Sequence, residues 1–346
     1  MMRALVAEQY GSPEVLTVQD VPVPRPGPGQ IQVRIHAASI NPADLRTLSG
    51  VLRDLTPLTF PHVPGMDFAG TVSEVGPDVT SFAPGEEVFG AGLPRATAAM
   101  AAMLSTPPSL TTGAMAEYAV FEADTPAITR RPAGLAADHA AALPTTGLTA
   151  AAVLREGRFQ AGERVLVIGA AGGVGGAVVP MLAAAKVHVI ATALPEDDAY
   201  VRALGATDVI DYGAADIVTE TLRRHPGGVD AVVNLALPGP ALIEVSRAVG
   251  PGGRLLNVAY PSPDPSAFDR ADLTVATVYS TARPGDLDEL AAQAVAGTLP
   301  STISRRYPLD EAARAYADLV GTHVRGKLLV TGPRSGPRNQ PQSSSL

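Results

Sequence analysis

An apolar run that breaks into glycine and resumes as a second apolar run most limits how this chain can fold. Residues 165–168 are β-favouring, which is typical of a short buried strand, and residues 174–185 form a helical pattern. A strand that enters a helix through a glycine-rich turn forms a phosphate cradle. Glycine lets the backbone approach an anion, and the helix N-terminus presents free N–H groups and a positive dipole end. The segment predicts a dinucleotide site.

The segment fits the dinucleotide motif G-x-G-x-x-G only if Ala170 takes the first glycine position, ahead of Gly172 and Gly175. The glycine spacing alone is therefore also compatible with an ordinary tight turn that binds no ligand. The following sequence favours the dinucleotide site, since further strand patterns alternate with helical stretches. These strand patterns are residues 187–193, 208–212, 229–236 and 254–260. Such alternation predicts an α/β fold, a doubly wound parallel sheet of the Rossmann type.

The composition excludes several classes of function. With 346 residues the chain is long enough for two domains, and it has no cysteine, which excludes disulfides and cysteine-ligated zinc. A net charge of -8 with interspersed signs argues against nucleic acid or an anionic membrane as a partner. No apolar run approaches the roughly 20 residues that cross a bilayer, and no secretion signal is evident. We therefore expect a soluble cytoplasmic enzyme.

The N-terminal third predicts a compact, partly closed β domain. Short strand patterns are separated by glycine and proline, and residues 21–29 are too proline-rich for a regular element. His36 lies on the polar phase of its strand, which favours an exposed strand residue over a catalytic one. The strand patterns are residues 3–9, 15–19, 31–37, 68–75 and 87–89.

Several motifs in order resemble one family. They include GSPEVL (11–16), VRIHAASINPAD (33–44), PGMDFAG (64–70), LPTTGLTA (143–150), GAAGGVG (169–175), VIDY (209–212), PGGR (251–254) and VRGK (324–327). The chain resembles the medium-chain dehydrogenases/reductases, in their zinc-independent, quinone oxidoreductase-like or enoyl reductase-like branch. The resemblance implies a GroES-like β-barrel-type catalytic domain, residues 1–123 with 290–332. It also implies a Rossmann domain at 124–289, and residues 333–346 should form a disordered tail.

The resemblance to the zinc-independent branch agrees with the residues available for a metal. The zinc branch has a cysteine near its start and a His-Glu pair where this chain has Met66 and Asp67. The six histidines show no paired spacing. A catalytic zinc needs about three protein ligands held together, so we expect no metal and interpret Asp67 as a turn or hydrogen-bonding residue.

The family motif at residues 33–44 implies that Asn41 lies beside the nicotinamide and donates a hydrogen bond to developing charge. Asparagine before proline is also an ordinary turn residue. In several relatives the motif continues with two tyrosines and an arginine. Here the two tyrosine positions hold Arg46 and Leu52, and the arginine position holds Leu48. Arg46 is thus a candidate for binding a polar or acidic substrate, with an exposed helix arginine as the alternative.

Further cofactor contacts are implied along the chain. Thr146 could reach the nicotinamide or the substrate, or it could serve as a helix N-cap. Asn234 and Tyr260 end strands at the edge where a cofactor crosses an open α/β sheet. The remaining cofactor-binding candidates are Gly172, Gly173, Val174, Gly175, Thr192 and Tyr212.

The end of the second Rossmann strand bears on cofactor choice. Counting about 20 positions beyond the glycines leads to Thr192, which is neither an acid for the NAD ribose nor a cation for the NADP phosphate. Carboxylates at residues 196–198 would repel a phosphate, which favours NADH slightly over NADPH. These carboxylates also suit an acid-rich first helical turn, and Lys186 or Arg202 could instead approach the ribose.

The resemblance implies an NAD(P)H-dependent reductase that delivers hydride to a quinone or an activated C=C, either as a general quinone reductase or as an enoyl reductase of secondary metabolism. The alternative is a redox-silent member that acts as a non-redox cyclase or a binding or regulatory protein. We expect a small hydrophobic substrate, and residues 90–113 could form either a lid or a surface loop. Relatives pair the strand at residues 273–280 across a two-fold axis, which implies a homodimer.

Overall fold

The computed structural model describes residues 1–53, 58–92 and 113–332. The expectations for residues 93–112, the bulk of the possible lid, and for the tail at 333–346 lie outside the described residues. No helix in the described ranges is long and apolar enough to cross a membrane. The described chain forms two large sheets and one two-stranded sheet.

The first large sheet combines strands from both ends of the chain. Its order is β14-β15-β3-β4-β5-β7, and β6 pairs with β3. All its pairings are antiparallel except that of β14 with β15. The strands are β3 (Gln30–Ser39), β4 (Asp67–Val75), β5 (Glu87–Ala91), β6 (Tyr118–Glu122), β7 (Ile128–Arg130), β14 (Ile303–Pro308) and β15 (Lys327–Thr331). An antiparallel pair, β1 (Met2–Ala7) and β2 (Leu16–Val21), forms the small sheet. This is the GroES-like antiparallel part of the expected fold.

The second large sheet is entirely parallel and has the order β10-β9-β8-β11-β12-β13. Its strands are β8 (Arg164–Ile168), β9 (His188–Ala193), β10 (Asp208–Asp211), β11 (Val229–Asn234), β12 (Val249–Asn257) and β13 (Thr274–Thr277). The chain leaves β8 toward one edge through β9 and β10, and then builds the other half from β11 onward. Ligands bind beyond the carboxyl ends of such strands where the order reverses, here between β8 and β11. The Rossmann prediction is confirmed.

The described helices connect and cover these sheets. They are α1 (Pro42–Leu48), α2 (Ala137–Ala142), α3 (Pro144–Gly157), α4 (Gly175–Ala184), α5 (Asp198–Ala203), α6 (Ile217–Arg224), α7 (Gly239–Val245), α8 (Asp286–Val295) and α9 (Ala312–Gly321). Strand β8 is apolar along nearly its whole length because both of its faces are buried, and its last four residues belong to the core.

Several elements differ from the patterns in the sequence. Strand β12 begins at residue 249, earlier than the expected 254, because the glycine-rich segment before it also pairs with β11 across a register shift. Strand β7 pairs with β5, so the first sheet extends past residue 123. Strands β6 and β7 span only five and three residues. Neither is among the strand patterns expected from the sequence.

Candidate active site

A cavity of about 310 Å³ lies at the carboxyl ends of the parallel strands, between the two large sheets. One wall is the glycine-rich turn after β8 together with Leu235 and Ala236 after β11. The other wall comes from the first sheet, with residues 40–42 on one side and residues 326–328 on the other. The predicted site residues that line it are Asn41, Thr146, Gly172, Gly173, Val174, Gly175, Thr192 and Tyr212.

The glycine-rich turn is packed too closely for side chains. A Cβ on Gly175 would lie 2.3 Å from the carbonyl oxygen of Ala170, and a Cβ on Gly173 would lie 2.8 Å from Cδ of Lys327. Helix α4 starts at Gly175, so its positive dipole end faces the turn, while the N–H groups of Gly176 and Ala177 donate to the carbonyl oxygens of Gly172 and Val174. These residues fit the pyrophosphate of a dinucleotide, which needs close backbone approach and N–H donors.

Residue 326 locks the C-terminal segment against this turn. The Gly326 N–H donates to the carbonyl oxygen of Ala171 at 2.8 Å. Its φ of +63° and a Cβ position only 1.9 Å from the Thr302 carbonyl oxygen require glycine. Lys327 is thereby brought to the cavity wall next to the cradle.

Asn41 lies at the junction of β3 and α1, where it is the N-cap of the helix. Its backbone N–H donates to Asp44 Oδ2 at 2.8 Å, which anchors the first turn of α1. Its side chain is buried, with Nδ2 donating to Asp67 Oδ2 at 2.9 Å and Oδ1 accepting from Lys327 Nζ at 2.6 Å. Because one neighbour is an acceptor and the other a donor, the amide has a single consistent orientation. The second N–H of Nδ2 has no acceptor in the part of the chain that the structure describes.

Lys327 is the site residue that sequence reasoning missed, although the VRGK motif contains it. It is 4 % exposed, and its Nζ also donates to the Ile40 carbonyl oxygen at 2.8 Å. Nζ lies 3.9 Å from Asp67 Oδ2. Burial lowers the pKa of Lys327, and Asp67 and Asp44 act in the opposite direction. No local sequence pattern indicates that the side chains of Asp67 and Lys327 lie close together.

Asp67 accepts hydrogen bonds from the end of β3 and from the start of helix α3. Its Oδ1 accepts from Thr145 Oγ1 at 2.7 Å and from the Thr145 N–H at 3.2 Å, which brings the start of α3 to the network. Ser39 Oγ donates to Oδ2 at 3.3 Å. We call residues Ser39, Asn41, Asp67, Thr145 and Lys327 the cleft network. The hydrogen-bonding interpretation of Asp67 describes it correctly.

Thr146 lies inside α3 at the cavity wall, so the alternative of a helix N-cap is wrong. Helix α3 begins at Pro144 with Leu143 as its N-cap, directly after α2. The Thr146 hydroxyl donates to the Ala142 carbonyl oxygen at 2.7 Å. Since its proton is engaged, the hydroxyl offers a ligand its lone pairs, which suit an amide N–H.

Comparisons with known proteins agree with this architecture. The "Alcohol dehydrogenase GroES-like domain" family model matches residues 27–131, and the "Zinc-binding dehydrogenase" model matches residues 204–330. A solved quinone oxidoreductase from Coxiella burnetii superposes with a TM-score of 0.83 at 29% identity, over 95% of this chain and 99% of that one. The chloroplastic quinone-oxidoreductase QR1 of Triphysaria versicolor is 28% identical over 95% of this chain and 98% of its own.

A quinone oxidoreductase of Sus scrofa is 30% identical over 340 residues, which covers 94% of this chain and 95% of the pig protein. The chain belongs to the medium-chain dehydrogenases/reductases, in their quinone oxidoreductase-like branch. It is an NAD(P)H-dependent oxidoreductase. The predicted family and enzyme class are confirmed.

The end of β9, where the adenosine half of the cofactor is expected, contributes Thr192 to the wall of the reductase cleft. Thr192 is buried, and its Oγ1 accepts from the Gly169 N–H at 3.3 Å, so it supports the glycine-rich turn. Tyr212 lines the cavity, and partial burial together with the charges of Asp197, Glu196 and Asp211 raises its pKa.

The acidic residues after β9 are already paired. Asp197 is buried, with Oδ2 at 2.6 Å from His323 Nε2 and Oδ1 at 3.7 Å from Arg325. Asp198 pairs with Arg202 at 2.9 Å on α5. His323 lines the cavity, so the imidazole paired with the Asp197 carboxylate stands at this end of the cleft.

The two cations considered for a ribose phosphate do not face the cleft. Lys186 precedes the first residue of β9, at the amino end of the strand. Arg202 donates to the Thr207 carbonyl oxygen, just before the first residue of β10. Both positions are at the opposite ends of these strands from Thr192, so that expectation is wrong.

Three predicted residues lie outside the lining of this cavity. Asn234 is fully buried and closes a turn, because Oδ1 accepts from the Leu237 N–H at 2.9 Å and Nδ2 donates to Asn257 Oδ1 at 2.7 Å. Arg46 and Tyr260 are brought together, with Cζ 5.9 Å from the ring centroid. Burial lowers the pKa of Arg46, and Tyr260 is 48 % exposed. Their cofactor and substrate roles stay predictions.

A larger cavity of about 690 Å³ lies on the first sheet and is lined by charged groups that include Arg3, Asp138 and Arg306. His36 faces it and lies 3.1 Å from Thr71 Oγ1, and burial lowers its pKa. It is half-buried, not exposed as the strand pattern predicted. The glycine-rich turn is absent from this lining, so the cleft is the better candidate for catalysis.

Proposed function

We propose that this reductase transfers hydride from NADH or NADPH to a quinone or an activated C=C, without zinc. The observation that carries the proposal is Asn41 at the cleft wall, whose amide is oriented by Lys327 and Asp67 and whose second N–H has no acceptor among the described residues. Residues such as Ile40, Leu235 and Leu328 add an apolar lining that suits a hydrophobic acceptor.

We propose one orientation for the cofactor in the cleft. The turn at residues 172–175 and the N-terminus of α4 would hold the pyrophosphate, and Thr192 and Tyr212 would lie along the adenosine half. The hydroxyl of Thr146 would accept from the nicotinamide carboxamide and so fix the ring face. The bound nicotinamide supplies the hydride.

Asn41 would then act on the acceptor. When hydride reaches the β-carbon of an enone or a quinone ring carbon, negative charge develops on the conjugated oxygen. The free N–H of Asn41 would donate to that oxygen, and Lys327 would keep the amide from rotating. A proton from water completes the reduction. Arg46 and Tyr260 are proposed to contact the outer part of the substrate.

Zinc independence leads to a prediction. Asp67, the one carboxylate at the position of the zinc branch's His-Glu pair, already accepts hydrogen bonds from Ser39, Asn41 and Thr145. We expect turnover to be unchanged after dialysis against a strong chelator, because no step uses a metal. Loss of turnover that added zinc restores would show that the site model is wrong.

Cofactor choice gives a second prediction. We propose a modest preference for NADH, because Glu196 and Asp197 add negative charge where an NADP phosphate would lie. Replacing Asp197 with asparagine removes the carboxylate nearest to His323 and Arg325, and Glu196 stays 3.8 Å from His323. The ratio of kcat/KM for NADPH over NADH should rise about tenfold at low salt. Asp198→Asn is the control, since Asp198 pairs with Arg202 on the helix surface and should leave the ratio unchanged. A wild-type preference for NADPH above tenfold would contradict the repulsion.

A third prediction concerns assembly. Strand β13 is the outermost strand of the parallel sheet and bonds only to β12 within the described residues. The exposed Tyr279 follows it closely, at 65 % exposure. Exposed strand edges are normally paired, and we propose that β13 pairs with its copy in a homodimer. Sedimentation at micromolar concentration should give twice the chain mass of 35.4 kDa. A monomer under those conditions would refute this.

The proposed activity is tested by spectral titration with NADH and NADPH, followed by steady-state turnover on a panel. The panel holds simple quinones, cyclic enones and a thioester-linked enoyl substrate, which represents secondary metabolism. Turnover of quinones or enones supports the proposal. Cofactor binding with no turnover on any acceptor would favour a redox-silent role, and no cofactor binding would refute the cleft assignment.

A further inference from the structure

A cluster of metal-ligating side chains lies at the end of the Rossmann sheet opposite the cleft. His188 is the first residue of β9, Asp208 is the first residue of the neighbouring β10, and His225 directly follows α6. Each offers one ligand atom, and these atoms all lie within 4.8 Å of one another. Among the described residues, this is the one group of three or more such side chains close enough to hold a metal ion. The proposed hydride chemistry does not use it.

The spacing of the ligand atoms in the cluster is close to the spacing around a bound ion. His188 Nε2 and Asp208 Oδ2 are 2.7 Å apart, and the two imidazole rings have their centroids 6.0 Å apart at 78°. Around a zinc ion with bonds of about 2.0–2.1 Å, ligand atoms lie roughly 3.3 Å apart. Small side-chain rotations therefore separate the first pair slightly and bring His225 inward.

His225 supplies a second, independent observation. Its Nε2 is buried and has no hydrogen-bond partner within the described part of the chain. A buried polar atom left unpaired costs free energy, and a bound ion would give this nitrogen the partner that it lacks. The neighbouring cations are occupied, because Arg224 pairs with Glu220 and Arg164 lies 3.8 Å from Asp230.

We propose that His188, Asp208 and His225 bind one divalent transition-metal ion of the zinc class. Two imidazoles and a carboxylate are a set that zinc and cobalt accept, and a water would complete a tetrahedron. His188 and Asp208 are each about one-third exposed, so an ion can enter from solvent. The ion would tie β9, the edge strand β10 and the end of α6 together. It is structural and remote from the hydride chemistry.

The test uses the full chain without a polyhistidine tag, after dialysis against a chelator. Cobalt(II) should bind at one ion per chain with the visible absorption of a tetrahedral site, and zinc should displace it. Zinc at a hundredfold excess over its Kd should raise Tm by about 4 °C, because it binds only the folded chain. Turnover should be the same with and without the ion.

His225→Ala and His188→Ala should each weaken cobalt binding at least about tenfold and abolish the zinc effect on Tm. His323→Ala is the matched control, because His323 also pairs with a carboxylate at 2.6 Å but lies outside the cluster. Circular dichroism shows whether each variant is folded, and His225→Gln replaces His225→Ala if it is not. Absence of the cobalt spectrum, or binding unchanged in both cluster variants, would overturn the proposal. Loss of binding in His323→Ala alone would also overturn it.

Discussion

Replacing Asn41 with alanine is expected to slow single-turnover hydride transfer by about 10- to 1000-fold, as loss of one oxyanion donor does in other enzymes. The affinity for the dinucleotide should stay within a few-fold, because the turn at residues 172–175, which we propose holds the pyrophosphate, is untouched. The two effects are separated by measuring cofactor binding by fluorescence and hydride transfer by stopped-flow absorbance.

The control for this variant comes from the same network. Ser39 Oγ also donates to Asp67 Oδ2, at 3.3 Å, but Ser39 is not among the residues that line the cavity. Ser39→Ala should therefore perturb the network with little change in the transfer rate. An unchanged rate in Asn41→Ala would reduce Asn41 to the N-cap of α1.

Replacing Lys327 with methionine is expected to lower the free energy of unfolding by about 3–5 kcal/mol, because the buried Asp67 carboxylate loses its cation. Two hydrogen bonds, to the Ile40 carbonyl oxygen and to Asn41 Oδ1, disappear as well. The double variant Lys327→Met with Asp67→Asn should recover part of the loss, since no charge then remains buried alone. Denaturant unfolding of the two single variants and the double variant gives the coupling energy directly.

An exposed ion pair provides the comparison for Lys327. Arg202 pairs with Asp198 on the surface of α5, with both side chains more than 40 % exposed. Arg202→Met should cost no more than about 1 kcal/mol. Two results would show that Lys327 and Asp67 do not act as a buried pair. One is a loss of unfolding free energy in Lys327→Met no larger than that in Arg202→Met. The other is a loss in the double variant equal to the sum of the losses in the two single variants.

The Rossmann half could be predicted from the sequence because its signals are local. Strand β8, the glycine-rich turn and α4 occupy consecutive residues, and each carries its own pattern of apolar residues or glycine. The helix α4 begins within one residue of its expected start. The later strands β9, β10 and β11 follow for the same reason, since both faces of a parallel sheet are buried and each strand is an apolar run.

The candidate site could be predicted only in part, because its polar contacts join distant segments. Asn41 and the glycines follow from motifs, whereas the bond from Lys327 Nζ to Asn41 Oδ1 depends on β15 returning beside β3. Asn234 shows the opposite difficulty. It stands at the expected strand end, but its amide is engaged in a local turn that no spacing reveals.

The carbon atom that receives the hydride tests most directly whether the enzyme reduces an activated C=C without zinc. The protein, first dialysed against a chelator, is given cyclohex-2-enone and the preferred dinucleotide carrying two deuterium atoms at C4, and the product is analysed by NMR. Zinc-independent hydride transfer to the activated C=C should give a saturated ketone with deuterium on the β-carbon, formed at the same rate as without chelator. Deuterium on the carbonyl carbon of an allylic alcohol, or no transfer until zinc is added, would contradict it.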